Sequence, residues 1–153
     1  MRKQKGFSLI ELLIVVAIIL IIAAIAIPNL MRSKMAANEA SAVASTRTLV
    51  TAQATYNSSY GTFADTLAKL GPVPSGGSAG SATAGLIDDV LASGSKSGYT
   101  FTAASGTADT FSYTVATTTP GTSGNKYLFT DQSGVIRFVV GSAATAASPA
   151  LAN

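Results

Sequence analysis

Cysteine and histidine are both absent from the 153 residues of this chain. Without cysteine there are no disulfide bonds and no thiolate nucleophiles, and without histidine the most frequent general base is missing. These two residue types are also the usual protein ligands of zinc. An enzyme is not excluded, but its commonest catalytic groups are absent. We therefore expect no catalytic residue, no cofactor and no metal site.

Charged residues are also scarce, at 11% of the chain. The 10 basic residues outnumber the 7 acidic ones, but three of the basic residues lie within the first five positions, so the remainder is balanced. A nucleic-acid-binding protein usually presents a basic face on its folded domain, and nothing in this balance indicates one. A surface so poor in charge is typical of an exported or assembled protein.

What the chain does have is one long apolar run near its start. Residues 12–27 are apolar without interruption, and the apolar residues from Phe7 onward extend the run toward the roughly 20 residues that span a bilayer as a helix. Three cationic residues precede it: Arg2, Lys3 and Lys5. By the positive-inside rule, this head stays in the cytoplasm and the rest of the chain is exported.

A removable signal peptide is the alternative interpretation of this segment. Ala24 and Ala26 supply a small-x-small cleavage site after the apolar core. Two features argue against it. Glu11 is costly at membrane depth, and the apolar run is longer than the roughly 7 to 15 residues of a signal-peptide core. Under this interpretation the product would be an exported soluble binding domain.

The residues K-G-F-S-L-I-E-L at positions 5–12, followed by the aliphatic run and Pro28, resemble the N-terminus of type IV pilins and of type II secretion pseudopilins. The resemblance implies that a membrane peptidase cuts between Gly6 and Phe7 and methylates the new N-terminus at Phe7. It also implies that the apolar helix serves as both membrane anchor and filament core, and that Glu11 is the glutamate needed for assembly.

Physical arguments agree with these roles. Gly6 has no side chain, which leaves the bond after it accessible to a peptidase. An ionised Glu11 in a lipid-embedded helix needs a partner, and the free ammonium of a neighbouring subunit's Phe7 would supply one. Pro28 removes one helical hydrogen bond and crowds the preceding turn, so we expect a kink there.

The resemblance also implies partners and location. The expected partners are identical subunits in a helical filament, the prepilin peptidase and methyltransferase, the inner-membrane assembly machinery, and membrane lipid before assembly. The expected location is the bacterial inner membrane, as a single pass with a cytoplasmic N-terminus. After assembly, it is either an extracellular pilus or a periplasmic pseudopilus.

Beyond Pro28, apolar pairs recur every seven residues at 35–36, 42–43 and 49–50, which predicts an amphipathic helix over 29–57. Polar residues recur at the same spacing, which predicts that they form the opposite, solvent-facing side: Arg32, Glu39, Thr46 and Gln53. Continued back to Phe7, the helix would hold about fifty residues. A disposable leader has no use for such continuity.

The rest of the chain predicts loops, then a sheet. Residues 58–98 form the expected connection, with short helices near 63–70 and 86–91 and a flexible glycine- and serine-rich stretch at 74–85. A period of two within 99–141 predicts four antiparallel strands. The tail at 142–153 has little to bury and is expected to be mobile.

Two acidic features could suggest metal ions, but neither is a strong signal. Asp88 and Asp89 are consecutive, so on a helix their side chains diverge by about 100°. The turn that begins at Asp131 lacks the clustered carboxylates of a calcium site. We interpret both as solvated surface.

These patterns predict an α+β, pilin-like fold, in which a long N-terminal helix with a membrane-embedded first half packs on a four-stranded antiparallel sheet. The segments are a leader at 1–6, a membrane and filament-core half at 7–28, the amphipathic half, the loop region, the sheet and the tail. A type IV pilin is the favoured function. A type II secretion pseudopilin and the exported soluble domain remain open.

Overall fold

The computed structural model describes residues 6–152, except for the side chain of Ser105. The predicted cationic leader residues Arg2, Lys3 and Lys5 lie outside the described residues. The chain divides into two compact units, with the boundary after Lys34. The first helix, α1, covers Leu9–Tyr60 and so includes both the apolar and the amphipathic segments. Gly61 follows it at a φ of +70°, a conformation that favours glycine and ends the helix.

Apart from Glu11 in its first turn, the first half of α1 is apolar on every side. An 18-residue window within this helix has a mean hydropathy of 3.3, and none of the window is buried. Within the described residues, α1 is the one helix that is long and apolar enough to cross a membrane. Pro28 lies inside it. The kink expected at Pro28 stays a prediction.

The second half of α1 supplies one wall of the core, and here the face predicted from sequence is wrong. Thr46 and Gln53, assigned to the solvent side, are both 0% exposed. At 3.6 residues per turn, a residue four positions later is rotated by only about 40°. Thr46 therefore lies beside Ala42, and Gln53 beside Leu49, on the same buried face.

The core-facing positions of this half alternate in steps of four and three residues, the spacing of a single helical stripe. They are Ala42, Thr46, Leu49, Gln53 and Tyr56. Thr46 satisfies its hydroxyl group by donating to the Ala42 carbonyl oxygen at 2.8 Å. The stripe thus mixes small, apolar and hydrogen-bonded polar residues.

The sheet has five antiparallel strands in the order β1-β2-β3-β4-β5, one more than predicted. Their bounds are β1 Ser95–Lys96, β2 Tyr99–Gly106, β3 Phe111–Thr117, β4 Lys126–Asp131 and β5 Arg137–Val140. The additional strand, β1, pairs with β2 through Ser95 and Thr100. Ser97 and Gly98 between them have φ values of +52° and +73°. Two consecutive residues with positive φ are typical of a type I′ hairpin turn, which the sequence analysis did not recognise.

The core lies between α1 and one face of the sheet. Along β3, buried residues alternate with half-buried ones, so that Phe111, Tyr113 and Val115 face inward. They join Leu49 and Tyr56 of α1 in one hydrophobic cluster. Two short helices, α2 Leu67–Leu70 and α3 Asp89–Ala92, lie in the connection and close the same core through Leu70 and Leu91.

The C-terminal tail differs from its prediction, because it has more to bury than its composition indicates. Ala144 and Ser148 are buried, and Leu151 packs against the core. The Phe138 N–H donates to the Pro149 carbonyl oxygen at 3.0 Å, and the Leu151 N–H donates to that of Ile136 at 2.7 Å. Backbone pairing therefore covers the outer edge of β5, where no disulfide is available.

Candidate functional site

The N-terminal end of α1 brings Ser8 and Glu11 together. Ser8 directly precedes the helix, and its backbone N–H donates to a carboxylate oxygen of Glu11 at 2.9 Å. The Leu12 N–H donates to the Ser8 carbonyl oxygen at 3.2 Å. The first N–H groups of a helix have no partner within the helix itself. The Glu11 side chain reaches back to satisfy the N–H of the residue before the helix, as in a capping box.

This contact gives Glu11 a local role that the sequence analysis missed. The pattern Ser-x-x-Glu ahead of an apolar run is the known sequence signature of a capping box, and it is present at residues 8–11. A carboxylate near a helix N-terminus is also favoured by the helix dipole. Because both residues are exposed and a carboxylate accepts several hydrogen bonds, Glu11 has capacity left for a cation.

Gly6 and Phe7 lie at the same end of the chain as Glu11. A Cβ atom added to Gly6 would meet nothing within 4 Å, so nothing in this chain's own fold requires a glycine there. The Phe7 side chain is 78% exposed. Pro28, the fourth residue singled out from sequence, is not part of this group, since it lies 17 residues beyond Glu11 along α1.

The apolar half of α1 exposes an unusual amount of hydrophobic surface. Every residue over 9–27 except the half-buried Ala23 is exposed, and many are isoleucine, leucine or valine. Soluble monomers rarely expose a continuous apolar patch of this kind, and a large one marks contact with lipid or with another protein. This segment therefore requires one of those two environments.

In the second unit, a buried amide group ties three elements together. The Gln53 side chain accepts from the Ala64 N–H and donates to the Ala64 carbonyl oxygen, both at 2.8 Å. Its amide also contacts the Tyr113 hydroxyl group at 2.5 Å. Burial raises the pKa of Tyr113 to about 12, although the hydrogen bond with Gln53 opposes the shift. Gln53 thus links α1, the connection after it and β3.

A set of exposed and half-buried polar contacts fixes the loop before β4 to α1. The Asn125 N–H donates to the Glu39 carboxylate at 3.0 Å, and the Lys126 ammonium lies 3.2 Å from the other Glu39 oxygen. Asn38 donates to the Ser123 carbonyl oxygen at 2.9 Å. These contacts position a loop and bring no catalytic pair together.

The two acidic features are occupied by local contacts. Asp88 caps α3 by accepting from the Leu91 N–H at 2.6 Å, and it pairs with Lys96 at 2.7 Å. The hydrogen bond from Lys96, and then that from Leu91, lower the pKa of Asp88. Asp131 accepts from the Ser133 N–H at 2.9 Å within its turn. Over residues 6–152, no three acidic side chains come close enough to hold a metal ion.

Comparison with known proteins bears on the N-terminal region. The family model described as the prokaryotic N-terminal methylation motif matches residues 1–27. The chain is similar to the type IV wide pilus major component PilA4 of Thermus thermophilus, with 62% identity over 39 residues, which are 26% of this chain and 30% of that protein.

It is also similar to the type IV major pilin protein PilA of Myxococcus xanthus, with 40% identity over 75 residues, which are 49% of this chain and 34% of that protein. The matches cover about a third of the length of these two relatives. The predicted resemblance is confirmed: the chain carries the prokaryotic N-terminal methylation motif, and it is similar to two type IV pilus components.

Proposed function

We propose that this chain is a structural subunit of a type IV pilus. The observation that carries the proposal is the exposed apolar helix that begins, two residues after Phe7, with the Ser8–Glu11 contact. A helix that is apolar on all sides can be stored in lipid and later packed among copies of itself. Both curated relatives are named as pilus components, which favours a pilus over a secretion pseudopilus.

Processing is the first step of the proposed function. The prepilin peptidase cuts between Gly6 and Phe7, and the new amino group of Phe7 is methylated. The open space around Gly6 and the exposure of Phe7 leave this bond accessible from solvent. The cut removes three cationic residues, Arg2, Lys3 and Lys5. Until then they hold the N-terminus on the cytoplasmic side of the inner membrane.

Assembly is the second step. Glu11 accepts from its own Ser8 N–H, and its carboxylate keeps the capacity to bind the Phe7 ammonium of a neighbouring subunit. Packing the apolar helices together excludes water, and a buried charge without a partner is costly. The ion pair therefore selects the register in which each Glu11 meets a Phe7 ammonium.

The product is an open filament. Identical subunits that associate head to tail by a rotation and a translation form a helix rather than a closed ring. The inner-membrane assembly machinery supplies subunits to the growing end, and the exported units form the outer surface of the filament. The subunit itself has a structural role and catalyses no reaction.

Two substitutions at Glu11 test this function. Glu11→Gln keeps an oxygen that can cap the helix but loses the charge, whereas Glu11→Leu loses both. We expect both precursors to be cleaved and both to yield far fewer filaments than the wild type, as quantified from sheared surface fractions. The matched control is Asp89→Leu, which removes an exposed carboxylate elsewhere and should assemble normally.

The outcomes separate the roles of Glu11. Normal filament yield from Glu11→Gln together with loss in Glu11→Leu would reduce Glu11 to a helix cap. Normal yield from both variants would remove it from assembly. Electron micrographs with an antibody against this chain address the type of filament: labelled surface filaments indicate a pilus, and their absence from cells that secrete through a type II system indicates a pseudopilus.

A further inference from the structure

Two cationic residues at the end of the apolar segment differ from the other cations of the fold. In the part of the chain from residue 6 to residue 152, Arg32 and Lys34 are exposed and make no hydrogen bond or ion pair. Arg47 has an interaction within the fold. The remaining cations have close partners: Lys69 with Asp65 at 2.9 Å, Lys96 with Asp88 at 2.7 Å, Lys126 with Glu39 at 3.2 Å, and Arg137 with the Ser148 carbonyl oxygen at 2.9 Å.

The backbone of this pair lies at or just beyond the outer limit of the lipid headgroups. Residues 7–27 as a helix would cross about 30 Å, the thickness of a bilayer's hydrocarbon core. Arg32 lies five residues past residue 27 and Lys34 seven, which places their backbones roughly 8 and 10 Å beyond it. The headgroup layer on each side of the core is roughly 5 to 8 Å thick.

The direction of the two side chains brings their charged groups back from the backbone positions to the level of the headgroups. Cα–Cβ bonds of a helix tilt toward its N-terminus, which here is the membrane side. Long side chains follow the same direction and cover the preceding turn. Two positions apart, Arg32 and Lys34 are rotated by about 200°, so their charged groups flank the helix on opposite sides.

Processing changes the balance of charge across the span. Before cleavage, Arg2, Lys3 and Lys5 oppose Arg32 and Lys34 at the two ends of the apolar run. After cleavage at Gly6, the leading end keeps the Phe7 amino group and the carboxylate of Glu11. The exported end then holds the side-chain cations that flank the span.

We propose that Arg32 and Lys34 bind the phosphate groups of anionic phospholipids in the leaflet where α1 leaves the membrane, and so hold the processed subunit at a fixed depth until assembly. The inference rests on the proposed membrane anchoring before assembly. Attraction of a basic residue to an anionic leaflet corresponds to about a fivefold gain in partitioning per cation.

Lipid selectivity tests this directly. The processed full-length protein is reconstituted into bilayers of equal phosphatidylglycerol and phosphatidylcholine, floated, extracted in mild detergent, and weighed with its bound lipids by mass spectrometry. We expect phosphatidylglycerol to exceed phosphatidylcholine by about fivefold or more. In the Arg32→Gln/Lys34→Gln variant we expect the ratio to fall to about one.

The control removes the same charge elsewhere. Lys69→Gln/Lys96→Gln breaks two surface ion pairs of small energetic value, and it should keep the wild-type ratio. A ratio of about one for the wild type, or an unchanged ratio in Arg32→Gln/Lys34→Gln, overturns the inference while leaving membrane anchoring intact. Failure of the wild type to float with the bilayers overturns the anchoring as well.

If Arg32 and Lys34 bind another subunit instead of lipid, the lipid ratio and the filament yield change differently. If the wild-type ratio is about one and Arg32→Gln/Lys34→Gln instead lowers filament yield, the two cations serve an interface between subunits. That result also overturns the lipid inference.

Discussion

Residues 9–27 and residues 42–56 belong to the same helix, α1, but they differ in which side chains are exposed to solvent. Apart from Glu11, the first stretch is apolar on every side and almost wholly exposed, whereas the second buries polar residues and apolar ones on a single face. In the second stretch each buried polar side chain must find a partner inside the subunit, as Thr46 and Gln53 do. The first stretch leaves its apolar side chains exposed, and the proposed function assigns lipid and identical subunits as their partners.

The largest effect is expected at the entrance to the apolar half. Gly6→Leu should leave the precursor uncut, because the larger side chain next to the cleaved bond would not fit the peptidase. The substitution should not disturb the fold, since a Cβ atom at Gly6 meets nothing within 4 Å. Gly80→Leu is the matched control, since a Cβ at Gly80 also meets nothing within 4 Å, and it should be processed normally. Immunoblots that separate the precursor from the cleaved chain measure the effect. Normal processing of Gly6→Leu would contradict the proposed site.

The same substitution in the two halves of α1 sharpens the contrast. Leu49→Ala should lower the free energy of unfolding by about 2–5 kcal/mol, because Leu49 is fully buried. Leu20→Ala should change it by less than about 0.5 kcal/mol, because Leu20 is 63% exposed. Urea unfolding of the processed protein in micelles, followed by tyrosine fluorescence, measures both, since all five tyrosines lie between residues 56 and 127. Equal effects would remove the distinction between the halves.

Gln53 tests whether the buried polar groups of the second half are required. Gln53→Leu keeps a similar volume but leaves the Ala64 N–H and carbonyl oxygen without their side-chain partner. We expect a loss of about 2–3 kcal/mol, the cost of leaving buried polar groups unpaired. Thr48→Ala, at an exposed position of α1, is the control and should cost less than about 0.5 kcal/mol. A loss in Gln53→Leu as small as the control's would show that the contact is dispensable.

A smaller effect is expected at high pH, through Tyr113. Burial raises the pKa of Tyr113 from 10.0 to about 12 in the folded protein. The folded state therefore keeps the full contribution of neutral Tyr113 to its stability below pH 10, and this contribution is lost as the pH rises toward 12. At pH 11 the loss is about 1.4 kcal/mol. Tyr113→Phe removes this titration, so its free energy of unfolding should fall by less than that of the wild type between pH 9 and pH 11. Equal falls would contradict a buried, neutral Tyr113.

The apolar half was predictable because an uninterrupted apolar run is visible in the sequence without knowledge of distant contacts. A lipid or filament environment requires an uninterrupted apolar run. Glu11 is recognisable as the charged residue near the start of this run, and Gly6 as the glycine that precedes it. The Ser8 contact does not follow from the charge of Glu11 at membrane depth, but the Ser-x-x-Glu spacing does predict a cap.

The wrong predictions concern the second unit, where the spacing of polar residues predicts a solvent-facing side that the fold in fact buries at Thr46 and Gln53. Gln53 is buried because its partners, Ala64 and Tyr113, come from segments 11 and 60 residues further along the chain. No local pattern indicates such contacts. The burial within the tail was not predictable for a similar reason, since the tail is held largely by backbone hydrogen bonds to residues 136 and 138, and backbone groups carry no signal in the sequence.

The N-terminus of the processed chain tests the central claim most directly. Mass spectrometry of the protein recovered from cells should find a chain that begins at Phe7 and carries one methyl group on its amino nitrogen. Such a chain keeps the whole apolar half of α1. A chain that begins at Ile27 would show that a signal peptidase removes this half, and it would contradict the account.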